Sequence, residues 1–266
     1  MQQPHRKPAP VADRIHYEQP LNERIRTFLR LEFLFRQTSR YLAGDSEWDS
    51  RNTLHSLLEI MHIFGRADLK TEAMKELDRH IQNLAKLEQN PNVDRSLLVG
   101  ILDELDRLID QLHGINGQII STLKKNEFLS AIMQRSAIPG GTCDFDLPEY
   151  HFWLQQPAEQ RTRDLSGWLH HFDSIAEAIQ LILRLTRDSA VMRPEEAPGG
   201  FFQKTLDPNL PCQMVRVAVP AGAPYFAEIS GGKHRFTVRF LEVPVIGERP
   251  LQTRQDVSFS LGCCII

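Results

Sequence analysis

Apolar residues recur every three or four positions from residue 25 to about residue 133, and every second position in short runs after Gly200. The first period belongs to helices packed by one face and the second to half-buried strands, so the chain is constrained to an α+β fold. An α-helical N-terminal domain and a smaller, sequence-discontinuous antiparallel β domain are expected. Ile138-Pro139-Gly140-Gly141 marks the switch, because proline and paired glycine end a helical pattern. Just beyond, Cys143, Phe145 and Leu147 alternate, which predicts a strand.

Within the helical part, Asn22 followed by Glu23 suits a helix start, with Ile25, Phe28, Leu31, Leu34 and Phe35 on one side. A second helix is expected from Asp49 to about Gly65, and a third from Asp68 to the break at Asn90-Pro91. Asp94 caps a fourth, whose Leu98, Ile101, Leu102, Leu105, Leu108, Ile109 and Leu112 form a heptad-like seam that needs a partner helix. A shorter helix over 121–135 and about two more after Gln156-Pro157 complete the set. Strands are expected at 201–206, 214–219, 225–229, 236–243 and 257–261. A lone strand leaves its backbone groups unpaired, so the one near Cys143 should join this late sheet. The resulting domains are a flexible arm over 1–19, a helical domain over 20–137 with 157–194, and a β domain over 138–156 with 199–266.

The formal net charge of −3 argues against a general nucleic-acid or membrane-surface protein, which normally carries a large positive excess. No run approaches the roughly 20 apolar residues that span a bilayer, and the first 20 residues lack a signal-like apolar core, so a cytoplasmic protein is expected. Cys143, Cys212, Cys263 and Cys264 are expected to be reduced, since a chain of this length needs no disulfides to fold. Cys263-Cys264-Ile265-Ile266 has the form of a prenylation signal, but it follows a strand-like run and is better explained as the end of that strand.

No metal-ligand spacing, phosphate loop, dinucleotide fingerprint or nucleophile elbow is present, so no metal, cofactor or enzymatic activity is expected. The informative residues are basic. On the first helix Arg26 and Arg30, and Arg36 and Arg40, are four apart and share a side, which also admits a nucleic-acid-binding alternative. In Gly231-Gly232-Lys233-His234-Arg235-Phe236-Thr237-Val238-Arg239-Phe240, period two sets Lys233, Arg235 and Arg239 opposite Phe236, Val238 and Phe240. Such a stripe is either a solvated face or a site for a carboxylate-bearing partner, which arginine's bidentate fork suits.

Four stretches, YEQPLNERIRTFLRLEFLF (17–35), KTEAMKELDRH (70–80), IPGGTCDFDLPEYHFWL (138–154) and EISGGKHRFTVRF (228–240), resemble the ZapD family of FtsZ-associated division proteins. The resemblance runs in order from about Tyr17 to Leu261. It implies a non-enzymatic homodimer, formed through the helical domain, that binds the C-terminal tail of FtsZ and cross-links its filaments at the mid-cell division ring, without nucleic acid or membrane as partner. Carried over by position, the tail-binding residues would be Arg30, Arg66, His151, Lys233, Arg235 and Arg239.

Overall fold

Each of several helices in the first half begins at a side chain able to close its open N–H groups. The computed structural model describes residues 13–66, 68–114, 119–243 and 245–266. Asn22 accepts from the amide of Ile25 at 2.9 Å and starts α1 (Glu23–Leu42). Ser46 and Asp49 exchange side-chain and backbone bonds of 3.0 and 3.2 Å, a capping box that starts α2 (Glu47–Phe64) two residues before Asp49. Asp68 caps α3 (Leu69–Ala85) through Thr71, and Asp94 caps α4 (Arg95–Gly114) through Ser96 and Leu97. The helix expected over 121–135 is divided into α5 (Ile119–Lys124) and α6 (Glu127–Arg135), because Asn126 turns its side chain onto the amide of Leu129 and restarts the helix. Three more follow: α7 (Pro148–Leu154), α8 (Ala158–Leu169) and α9 (Asp173–Asp188).

The chain divides into two compact units, Thr27–Arg184 and Met1–Arg26 with Leu185–Ile266. In the first, α3 and α4 form an antiparallel hairpin, with Lys70 donating to the carbonyl of His113 at 3.3 Å. Leu98, Leu105, Leu108 and Leu112 of the α4 seam are buried, so the partner helix is in the same chain. Phe128, Tyr150, Trp153 and Trp168 cluster with ring centroids 5.5–6.1 Å apart where α6, α7 and α8 meet.

The second unit is a sandwich of two antiparallel sheets. One has the order β1 (Arg14–Pro20), β4 (Cys212–Pro220), β8 (Val257–Ile265), β2 (Arg193–Ala197). The other has β3 (Phe201–Thr205), β6 (Arg235–Glu242), β5 (Tyr225–Gly231), with the short β7 (Leu251–Gln252) also paired to β6. Alternate residues of both sheets fill the space between them: Val215, Val217 and Val219 from β4, Phe236, Val238 and Phe240 from β6, and Val257, Phe259 and Leu261 from β8. The Phe259 ring lies 5.1 Å from Phe240 and 5.3 Å from Phe202. All five expected late strands are present, and the C-terminal cysteines lie in β8.

Two expectations give way. Residues 138–156 hold no strand and belong to the helical unit: Cys143 and Leu147 bond to Gly140 and Cys143 in turns of 3.1 Å, Phe145 faces solvent, and Pro148 opens α7. Alternation over three apolar residues was outweighed by local turns that satisfy the backbone without a neighbouring strand, with Gly141 placed where a Cβ would meet the Arg135 carbonyl at 2.6 Å. The arm expected over 1–19 is a strand from Arg14 onward, and it is this segment that makes the β unit discontinuous; residues 1–12 lie outside the described residues. β1 and β2 are mostly polar edge strands, held by pairing to β4 and β8 and by the packing of Tyr17 and Ala197 on the sandwich core.

An ion triad fastens β1. Glu18 accepts from Arg187 at 2.9 Å and from Arg216 on β4 at 3.0 Å, all three side chains being about four-fifths buried. Burial alone would raise the Glu18 carboxyl, but the bonds and charges of Arg187 and Arg216 outweigh it and hold the group below its ordinary value of 4.5. The folded state thus binds this proton more weakly than the unfolded chain. The triad's contribution is complete above pH 4.5 and is lost as pH falls through the lower folded value. Glu18→Gln should destabilise the protein by roughly 2 kcal/mol at pH 7. Urea titrations from pH 7 to pH 3 should show the gap between the two proteins closing with acid; a gap that is constant with pH would remove the charge from this account.

Candidate functional site

The hairpin joining β5 to β6 is tight. A Cβ on Gly231 would meet the Cβ of Phe236 at 2.6 Å, and the amide of Gly232 closes the turn on the Arg235 carbonyl at 3.0 Å. The turn sets the register of β6, and with it the alternation: Phe236, Val238 and Phe240 are buried while Arg235 and Arg239 are exposed. Register then supplies neighbours on the outer face. Arg239 stands directly opposite Phe201 on β3 and Glu228 on β5, Thr237 opposite Gln203 and Ser230, and Arg235 opposite Thr205.

Lys233, His234, Arg235, Thr237 and Arg239 line an open depression of about 580 Å³ with Phe201, Gln203 and the glycine turn. A smaller one of about 380 Å³, bounded by Glu228, Ser230, Thr237 and Arg239, adjoins it. Among the described residues no carboxylate lies within ion-pair distance of Lys233, Arg235 or Arg239. Four residues of strand separate Arg235 from Arg239 by about 13 Å along the backbone, so the pair suits acidic groups about four residues apart on an extended chain. Phe201 adds apolar surface beside them.

The other three expected residues lie in the helical unit. Arg30 is exposed on α1, Arg66 is exposed in the turn after α2, and His151 is exposed on α7. His151 lines a separate depression of about 410 Å³ with Glu47, Trp48, Arg51, Thr142, Cys143 and Asp144. Arg51 is committed there: it bonds Glu47 at 3.1 Å and the Thr142 carbonyl at 3.3 Å, and its guanidinium lies 5.5 Å from the Trp48 ring and 5.1 Å from Tyr150. Burial first, then Glu47, pushes the Tyr150 phenol up to about 12 against the pull of Arg51, so the ring stacks as a neutral group.

Sequence reading missed Phe201, Gln203 and Glu228, whose place beside Arg239 depends on strand register. It also missed Trp48 and Arg51, for which a tryptophan three residues before an arginine at a helix start was an available signal. The basic stripe on α1 is partly neutralised within the helix, Arg26 by Glu23 at 3.1 Å and Arg36 by Glu32 at 3.3 Å, which disfavours an extended nucleic-acid track. No cluster of three or more His, Cys, Asp or Glu able to hold a metal, and no helix long and apolar enough to cross a membrane, occurs among the described residues.

An open sheet face carrying two exposed arginines is chemically suited to carboxylate-bearing ligands. The family model described as "ZapD: Cell division protein" matches residues 29–239. A Methylococcus capsulatus protein named "Cell division protein ZapD" is 48% identical over 256 residues, which cover 96% of this chain and 100% of that relative. Relatives of the same name from Aromatoleum aromaticum and Coxiella burnetii are 39% identical over 250 residues (94% and 97% covered) and 37% identical over 257 (96% and 100% covered). The chain belongs to the ZapD family of cell division proteins.

Proposed function

We propose that this protein binds the C-terminal tail of FtsZ on the outer face of the β3-β6-β5 sheet and, as a homodimer formed through its helical unit, cross-links FtsZ filaments in the cytoplasm at the mid-cell division ring. The observation that carries the reading is the pair Arg235 and Arg239, directed to solvent from a rigid strand and left without a carboxylate within ion-pair distance among the described residues. Two exposed guanidinium groups give this face a positive potential that an acidic peptide complements. Arg30, Arg66 and His151 are proposed as further tail contacts, on the strength of the family resemblance and their exposure.

Titration of a labelled tail peptide across a salt series tests the reading. Affinity should fall as ionic strength passes 0.15 M, where the Debye length is about 8 Å, but only in part, because Phe201 offers an apolar contact that salt does not screen. A labelled duplex run in parallel should bind weakly; tight duplex binding with a steeper salt slope would support a nucleic-acid role instead.

Cross-linking needs two tail sites in one particle, and bivalency raises avidity without any new contact. Light scattering at micromolar concentration should therefore give the mass of two 30.5 kDa chains. A monomer would leave tail binding intact and remove the cross-linking.

A further inference from the structure

β3 is an edge strand whose outer side is open. It pairs with β6 on one side, and among the described residues no strand pairs with the other. In an antiparallel ladder, residues that exchange backbone bonds with the partner alternate with residues whose N–H and C=O point away from it. Two bonds fix the phase. The Leu206 amide donates to the His234 carbonyl at 2.8 Å, and on the far side of β6 the Gly232 amide donates to the Arg235 carbonyl at 3.0 Å. The ladder bonds of β3 therefore run through the pairs Lys204–Phe236 and Phe202–Val238, while Thr205, opposite Arg235, and Gln203, opposite Thr237, turn their N–H and C=O outward. The Phe201 amide shares that direction but is taken by the Pro198 carbonyl. Among the described residues no backbone bond reaches Gln203 or Thr205 from this side, and both residues are exposed. Two other edge strands are guarded: β5 lies beside β1, with Leu21 packed at Gly231, and β2 contains Pro194, which has no N–H to offer.

We propose that an extended acidic peptide binds by adding a strand to this open edge of β3, its backbone bonded to Gln203 and Thr205 and its acidic side chains turned toward Arg235 and Arg239. The mode rests on the outer face of this sheet being the site of the acidic tail. Register ties the edge to the arginines. Thr205 stands opposite Arg235 and Phe201 opposite Arg239, so residues of the added strand that face Thr205 and Phe201 are four apart and share the outer face with both arginines. The added strand would lie about 4.8 Å beyond β3 and about 10 Å from β6, a span that an arginine and a glutamate side chain bridge between them over the neutral Gln203 and Thr205. Main-chain bonds then supply affinity that any extended chain can use, and the two arginines select an acidic one. A second copy of this protein is a poorer occupant, because β3 against β3 would set Arg235 and Arg239 of both copies on one continuous face.

Hydrogen exchange on the full-length protein, with and without a saturating FtsZ tail peptide, tests the mode. The Gln203 and Thr205 amides should exchange about tenfold more slowly or better in the complex, while those of Phe202 and Lys204, already bonded to β6, should change little. Tail peptides N-methylated at one backbone amide each should show an alternation: methylation of an amide that faces β3 weakens binding about tenfold, and methylation of its neighbours hardly at all. Thr205→Pro removes an outward N–H and leaves the ladder to β6 intact, so it should weaken binding about tenfold with only a small fall in melting temperature.

The outcomes separate the mode from the site. A peptide that binds the wild-type chain and is weakened by Arg239→Glu, yet leaves both amides unprotected and shows no alternation, would overturn the added strand and leave the face as the tail site. Protection of these amides that grows with protein concentration in the absence of peptide would give the edge to a second copy and overturn the proposal. No binding to the wild-type chain would overturn both. Exchange and the methylated peptides use the wild-type chain, so they decide the matter even if the proline variant fails to fold.

Discussion

Arg239→Glu is expected to weaken binding of an FtsZ tail peptide by about tenfold or more and to abolish co-sedimentation with FtsZ filaments, while leaving the fold in place. Arg239 is exposed, lies at the centre of the basic face and lines both of its depressions. The reversed charge would stand opposite Glu228 in the β5–β6 register, so two acids would face the position where an acidic peptide docks. Like charges directly opposite across strands cost up to about 1 kcal/mol, so melting should fall by only a few degrees. Arg239→Gln, which removes charge without reversing it, should give an intermediate affinity. Unchanged peptide binding by Arg239→Glu would sink the assignment of this face as the tail site, and a collapse of thermal stability would mark the arginine as structural.

Arg161→Ala is expected to give the largest loss of stability. The side chain looks like a solvated helix residue in the sequence, yet it is only 6% exposed. From α8 its guanidinium reaches the Ser50 hydroxyl at 2.9 Å, the Leu154 carbonyl at 3.1 Å and the Asp45 carbonyl at 2.6 Å, and it also donates to the carbonyl of Gln156. It thereby ties α8 to the loop before α2 and to the end of α7. Removing it leaves buried acceptors without a donor, at a cost of roughly 3–5 kcal/mol, or about 10 °C in melting temperature. Arg161→Lys keeps the charge but not the planar fork, and should recover less than half of the loss. Calorimetry checks both variants; a shift under about 2 °C for the alanine variant would show that water replaces the guanidinium without cost.

Helices and late strands were legible because their stability is written locally. Asn22, Asp68 and Asp94 cap the helices that follow them, and the alternation around Phe236, Val238 and Phe240 does define an outward basic face. Where the reading failed, the deciding interactions were distant in sequence or belonged to turns. Nothing between Arg14 and Pro20 marks a strand except its pairing with β4 and the grip of Arg187 and Arg216 on Glu18. At residues 138–147 the alternation was genuine but short, and turn hydrogen bonds satisfied the backbone first.

The sequence by itself determined the α+β class, most helix starts, the five late strands and, through four motifs, membership of the ZapD family, which the comparisons bear out. All of these depend on periodicity, caps or contiguous residues. Only the tertiary structure decided which strands are neighbours, that Phe201 and Glu228 flank Arg239, and that Arg161 is a buried cross-tie. These contacts join residues from 11 to more than a hundred positions apart, where contact is set by strand register and helix packing and leaves no local pattern in the chain.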